Sequence, residues 1–431
     1  MRFQRTVSRL RRWAAVGLSS LATTTLALEG TGRADDPRPD VAKSSGELPS
    51  KPETEFTIVP FVGGNSDMGF GGGYIASLAR RDPDLAPYRY RIETAGTMTF
   101  GQNDADELRI NYTDIYLLFS FPNLIKDRLA FDVRASYTLE SNLKYYGLGN
   151  ASSIDPSIDP TDAFYEHSRA HPTLRATFEY RMRPVALALG VSYTQNWFDV
   201  PEGTRLADDL ESPDPEVRQL VGEAKPHGTP KIHLGAAWDT RDDGVSPVRG
   251  LYVTEQVDIV PGTVGDDNYR FVRVGTAASL FVPLIPEERR LVLATRIVND
   301  LLFGDPPFFE LPRFEDTFAI GGAKGVRGVP GQRYYGKIKA FANIELRSEL
   351  FKAKVFGDER RFGVVAFTDV GRVWADYESN PELDGTGLGL KYGIGGGLRI
   401  ASGETFVLRV DVAWSPDANP LSGYLLAGHI F

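Results

Sequence analysis

The chain has 431 residues, 42% of them hydrophobic, no cysteine and a formal net charge of −9. The absence of cysteine excludes a disulfide-stapled fold. A mean hydropathy of −0.23, with no long apolar run beyond the first thirty positions, excludes a transmembrane helix. The acidic balance argues against a nucleic-acid partner.

The N-terminus carries Arg2, Arg5, Arg9, Arg11 and Arg12, then a weakly polar stretch from Ala14 to Leu28, then Gly32-Arg33-Ala34 as a small-x-small cleavage site. This order predicts a secretory signal peptide over residues 1–34. The segment holds six Arg and one Glu, so its removal leaves a mature chain near −14. Residues 35–55 are rich in Pro, Ser and charge without periodicity, and are expected to form a flexible periplasmic leader.

From Phe56 onward the dominant pattern is period-two alternation. Leu129, Phe131, Val133, Ala135, Tyr137 and Leu139 alternate with Ala130, Asp132, Arg134, Ser136, Thr138 and Glu140, and the pattern returns in Leu174–Met182 and Phe406–Trp414. The predicted strands are 56–63, 69–78, 88–100, 106–121, 128–140, 172–183, 185–199, 230–240, 250–262, 268–284, 289–303, 336–350, 361–370, 389–400, 405–415 and 421–431. Alternation alone does not distinguish a soluble sandwich from a membrane barrel. Loop lengths do: with sixteen strands both termini are periplasmic, and the longest connections, 141–171, 200–229 and 304–335, all fall outside. The expected fold is therefore all-β, a sixteen-stranded antiparallel transmembrane β-barrel over residues 56–431, set among outer-membrane lipids. The chain ends in Phe431, the kind of C-terminal aromatic that the resident barrel assembly machinery reads on its substrates.

The connection between strands eleven and twelve is too long for a hairpin. Gly321, Gly322, Gly325 and Gly328 let its backbone bend tightly and approach other backbone closely. With Arg327 at its tip, such a loop can fold inward to an acidic partner in the lumen. Glu345 and Glu349 share a strand face with Asn343 and Arg347, and are candidate members of that charge cluster. Asp239, Asp242 and Asp243 crowd one turn, but their spacing is not that of a calcium loop, and aspartates capping a Pro247/Gly250 turn account for them. No metal or cofactor site is expected. His167 and His171, beside Ser168, are expected in a solvated outside loop; with no nucleophile elbow or phosphate loop, the chain is not expected to be an enzyme.

Gly321-Gly322, Val326-Arg327-Gly328, Gly336 and Asn343-Ile344-Glu345-Leu346-Arg347 together resemble the hallmark of the outer-membrane protein assembly factor superfamily, the BamA/TamA-like bacterial surface antigens. Further matches follow in family order: Tyr145–Asn150, Trp238–Asp243 with Pro247 and Gly250, Phe367-Thr368-Asp369-Val370-Gly371 with Trp374, and Tyr392–Arg399. The resemblance covers residues 56–431. It implies an arm folded into the lumen with Arg327 as its tip and Asp369 as its partner. It also implies lateral opening between the first strand, near Thr57–Val62, and the last, near Leu421–Phe431, for insertion or translocation of client proteins. Gly423 and Gly428 are expected to weaken that seam. The twenty or so residues between signal and barrel leave no room for the family's periplasmic POTRA domains. The expectation is thus a short member that relies on periplasmic partner subunits for client capture, or a barrel without insertase activity. A passive porin is the alternative, and an outer-membrane hydrolase a further one.

Overall fold

The computed structural model describes residues 51–431 apart from 103–106, 126–127, 160–162, 266–267, 286–290, 315–316, 356–357, 403–405 and 418–420. The signal peptide and nearly all of the leader lie outside the described residues.

The described residues form a closed sixteen-stranded antiparallel barrel. Its strands are β1 (Glu53–Asn65), β2 (Gly69–Asp82), β3 (Leu85–Gln102), β4 (Leu108–Ile125), β5 (Leu129–Lys144) and β6 (Glu166–Met182). There follow β7 (Val185–Asp199), β8 (His227–Asp239), β9 (Gly250–Val260), β10 (Phe271–Ile285) and β11 (Leu291–Gly304). The last are β12 (Ile338–Val355), β13 (Asp358–Trp374), β14 (Lys391–Ser402), β15 (Phe406–Trp414) and β16 (Ser422–Ala427). Each strand pairs with its chain neighbours, and β1 meets β16 to close the ring. Val264–Gly265 adds a short rung beside β8.

Burial along the strands runs opposite to that of a soluble protein. In β5 the polar residues Asp132, Thr138 and Glu140 are buried, whereas Ala135 and Tyr137 are exposed. Leu174, Leu189, Val191, Ile297, Leu398 and Val412 likewise face outward. An apolar exterior around a charged interior is stable only when the exterior solvent is hydrocarbon, and this settles what alternation left open. Closure gives every strand two neighbours, as lipid favours for backbone polar groups, but β1 meets β16 over two register pairs alone.

Many strands outrun their predicted windows. β6 is the instructive case: it begins at Glu166, so His167, Ser168 and His171 stand in the barrel wall and not in an outside loop. The polar run and Pro172 obscured the strand. Pro172 has no N–H to give, and the β6–β7 ladder is interrupted between Ala170↔Trp197 and Thr173↔Thr194. His171 Nε2 lies 3.2 Å from Glu140 on β5, and His167 is buried.

The connections at the outer end build a cap. Helices α1 (Arg205–Leu210) and α2 (Pro215–Val221) start at Thr204 and Asp214, whose side chains accept N–H bonds from Ala207 and Glu216. Leu206, Leu220 and Val221 pack with Tyr145, Leu148, Phe308, Phe309 and Tyr335 into one apolar cluster over the lumen.

Candidate functional site

The segment between β11 and β12 enters the lumen. Its apolar side chains Phe314, Ile320, Val326, Val329 and Tyr334 pack on Ala277, Val298, Phe341 and Val373 of the inner wall. Gly321 (φ +123°) and Gly322 (φ +76°) take backbone conformations that a side chain strains. A Cβ on Gly325 would sit 2.0 Å from the Ala319 carbonyl oxygen. The tight hairpin that results delivers Arg327 to the wall formed by β12–β15.

Arg327 is fully buried. Its Nε donates to Asp369 Oδ2 at 2.7 Å and Nη2 to Asp369 Oδ1 at 3.0 Å, a bidentate pair to which its own backbone N–H adds a third bond at 3.1 Å. Nη1 donates to Glu345 Oε1 at 2.7 Å and to Asp411 Oδ2 at 3.0 Å. The guanidinium carbon lies 3.4 Å from the centre of the Phe367 ring, an additional attraction for the cation. Arg347 Nε donates to Glu345 at 2.7 Å, and Arg399 pairs with Asp411, so the carboxylates are shared among several cations.

The glycines on the opposing strands have a steric purpose here. A Cβ on Gly393 would lie 1.7 Å from the Arg327 carbonyl oxygen, and one on Gly371 2.5 Å from Ile320 Cδ1. On Gly397 it would lie 1.9 Å from Asp411 Oδ1. These positions form the trough in which the arm tip lies. Gly328 (φ +93°) closes against the Trp414 backbone, and its N–H donates to the Tyr424 hydroxyl at 3.0 Å.

Arg327, Asp369 and Glu345 thus meet, and Asp411 joins them. The alternation of β15 marked Asp411 as lumen-facing but not its depth. Glu349 does not belong to the cluster. It follows Arg347 on the same face but lies a further step toward the barrel end, beside a bulge between Glu349 and Phe351, where its nearest cation is Arg361 at 3.6 Å.

The seam also departs from expectation. β1 pairs with β2 along all thirteen of its residues but with β16 only at Gly64↔Leu425 and Asn65↔Tyr424, extended by Ser66 N–H to the Gly423 carbonyl at 3.0 Å. Gly423 is on the seam; Gly428 and Phe431 are not. At Gly428, φ is +81° and the N–H turns to the Val407 carbonyl of β15, which ends the strand at Ala427. The last residues then bend into the lumen, where Arg296 Nη1 donates to the Ile430 carbonyl at 3.4 Å and Arg347 Nη2 to the Phe431 carbonyl at 3.0 Å. Arg347 and Arg296 therefore link the C-terminal residues to the same wall that holds the arm. Arg296 also donates to the Lys324 carbonyl of the arm.

At the outer end of the seam, Asp67 in the β1–β2 turn receives a backbone hydrogen bond from Gly331 of the arm, yet burial pushes its carboxyl up to about 6. In the β8–β9 turn the aspartates cap backbone: Asp242 accepts from Val248 and Asp243 from Val245 and Ser246, while Asp239 pairs with Arg241.

A sixteen-stranded barrel with lipid-facing apolar walls, a lumen filled by an arginine-tipped arm and a short first-to-last seam is an outer-membrane β-barrel of the BamA type. The Omp85 superfamily domain matches residues 93–420, and the chain belongs to that superfamily. Its barrel is similar to BamA from Haemophilus ducreyi lacking POTRA domains 1-3, at 18% identity and a TM-score of 0.57, covering 87% of this chain and 70% of that one. It is similar also to CdiB from Escherichia coli, at 15% identity and a TM-score of 0.51, covering 88% of this chain and 63% of CdiB. No curated protein matches it in sequence.

Proposed function

We propose that the protein is a laterally gated outer-membrane barrel that assists insertion or translocation of client proteins, with the β1–β16 seam as the gate. The observation that carries this reading is the seam itself. Residues 53–63 of β1 have no ladder partner on the β16 side among the described residues, whereas their other edge is fully paired with β2. An unpartnered edge is a template for strand addition, and a client strand pairing there gains backbone hydrogen bonds that lipid cannot offer. Phe56, Ile58 and Val62 on this edge are exposed.

The arm and the cap favour this over a passive porin, because together they occupy the lumen that a general porin keeps open. Membership of the superfamily and the likeness to BamA support a role with client proteins and periplasmic partner subunits at the outer membrane.

The test exploits the absence of native cysteine. In the double variant Ser66→Cys/Gly423→Cys the new side chains face each other across the seam: a Cβ on Gly423 would lie 3.9 Å from Ser66 Oγ. Oxidised protein should fail to insert a small barrel into liposomes, and reduction should restore insertion. Equal activity in both states would sink the gating proposal.

A further inference from the structure

Away from the arm, three adjacent strands bring Ser192 (β7), His233 (β8) and Asp258 (β9) together on the lumen face. Ser192 Oγ lies 2.8 Å from His233 Nε2, and His233 Nδ1 lies 2.7 Å from Asp258 Oδ1. A carboxylate can only accept, so the proton of the neutral imidazole sits on Nδ1 and Nε2 is left to accept from the serine hydroxyl. Gln256 Nε2 donates to both Asp258 oxygens, at 3.0 and 3.1 Å, and so restrains the carboxylate. All three residues line a lumenal cavity of about 410 Å³. Nothing in the arm's anchoring or the seam uses them.

We propose that Ser192, His233 and Asp258 form a nucleophilic centre that cleaves carboxylic esters inside the barrel. Ser192 Oγ attacks the ester carbonyl carbon while His233 Nε2 takes the hydroxyl proton. The C–O bond to the alcohol breaks, and Nε2 returns that proton to the departing oxygen. Water then attacks the acyl-serine with Nε2 as base, the bond to Oγ breaks, and Oγ regains a proton as the acid leaves. Asp258 holds the imidazole in the required tautomer; Gln256 is a positioning residue.

Charge on the tetrahedral oxygen is met by a side chain rather than a backbone pocket. Arg175 on β6, a register partner of Ser192 that lines the cavity, is the cation assigned to this role; Lys231, its partner on β8, lines the cavity too but donates to Glu310 at 2.7 Å. The far wall of the same cavity is apolar and belongs to the seam strands and β15, with Phe61, Val62, Leu408 and Leu425. Polar chemistry at one end and an apolar wall toward the membrane suit an ester with an apolar acyl chain, as in a lipid.

The test uses the full-length folded barrel in detergent, its fold checked by heat-modifiable gel migration. A fluorophosphonate probe should form an adduct that peptide mapping places on Ser192. Hydrolysis of p-nitrophenyl butyrate should fall by about 10³-fold or to the buffer rate in S192A and H233Q. p-Nitrophenyl octanoate should be cleaved faster than the acetate. Absence of an adduct on Ser192 in folded wild-type protein overturns the proposal even if the variants fail to fold. So does hydrolysis by folded S192A at the wild-type rate. A rate that falls with acyl length overturns the acyl-chain assignment. None of these readouts depends on client insertion, so the seam proposal stands or falls separately.

Discussion

Replacing Arg327 with Ala removes four side-chain hydrogen bonds, two of them to Asp369, which of the bonds it is seen to make keeps just the one from the backbone N–H of residue 327. The remaining carboxylates fare unequally. Glu345 keeps Arg347 at 2.7 Å and Asp411 keeps Arg399, whereas Asp369, fully buried, is left without a countercharge. Removing one partner of a buried ion pair costs about 3–5 kcal/mol. The cost falls on the arm-seated state, because a released arm lets water reach Asp369. An arm seated about a hundred- to a few thousandfold over released would thus drop to near parity, since 1.4 kcal/mol is roughly a factor of ten. Single-channel recording in planar bilayers reads this directly: wild type should show small, infrequent openings, and R327A larger and more frequent ones. R327K keeps the charge but not the bidentate fork, and should fall between them. Adding D369N to R327A removes the stranded charge and should recover part of the closure, with a coupling of about 1–3 kcal/mol by double-mutant cycle. Indistinguishable conductance of R327A and wild type would refute the claim that this side chain pins the arm.

Two further outcomes test neighbouring parts of the same device. Gly393→Ala puts a methyl 1.7 Å from the Arg327 carbonyl oxygen, so the arm tip must shift; openings should increase although no charge has changed, and unchanged recordings would show that the trough is not needed. Asp67, whose carboxyl is pushed up to about 6 from an ordinary 3.8, binds its proton more tightly when the arm is seated than when it is released. The seated state therefore gains stability as pH falls through 6, complete below 3.8, and carries the full penalty above 6, a difference of about 3 kcal/mol at most. Openings should be rarer at pH 5 than at pH 7.5, and Asp67→Asn should remove that contrast; the same contrast in D67N would assign it to another group.

How far the sequence carried depended on whether a feature was local. Sixteen strands followed from period-two patterning because each strand writes its own pattern, and the arm followed from glycines clustered in one loop. Strand ends were less legible where chemistry masked the pattern, as at Glu166–Pro172, where a polar run with a proline reads as loop although the residues are lumen-facing wall. Depth and register were not legible. Period two says that Asp411 and Glu349 face inward, but only the ladder places Asp411 beside Arg327 and leaves Glu349 with Arg361. The same limit hid the juxtaposition of Ser192, His233 and Asp258, since adjacency across three strands is set by hairpin registers that no single strand encodes. Gly428 looked like a weak point in the last strand; its positive φ ends that strand and moves the seam outward to Gly64, Asn65 and Ser66.

The seam is too short to be held by its ladder alone, and the arm supplies what the ladder lacks. Two register pairs and the Ser66–Gly423 contact connect β1 to β16, a few net hydrogen bonds worth about 1 kcal/mol each. The arm touches both sides of that junction. Gly328 N–H donates to Tyr424 of β16, and Gly331 N–H donates to Asp67 in the turn that ends β1. Tyr424 is itself the register partner of Asn65, whose side chain accepts from the N–H groups of Asp67 and Met68. A seated arm therefore ties the two edge strands together from inside, and its seating depends on the Arg327 cluster. On the proposed gating, release of Arg327 would withdraw Gly328 and Gly331 from the seam together, so that opening the lumen and loosening the lateral edge would be one transition. The seam disulfide separates the two consequences. In oxidised Ser66→Cys/Gly423→Cys protein that also carries R327A, conductance should rise as in R327A alone while insertion stays blocked.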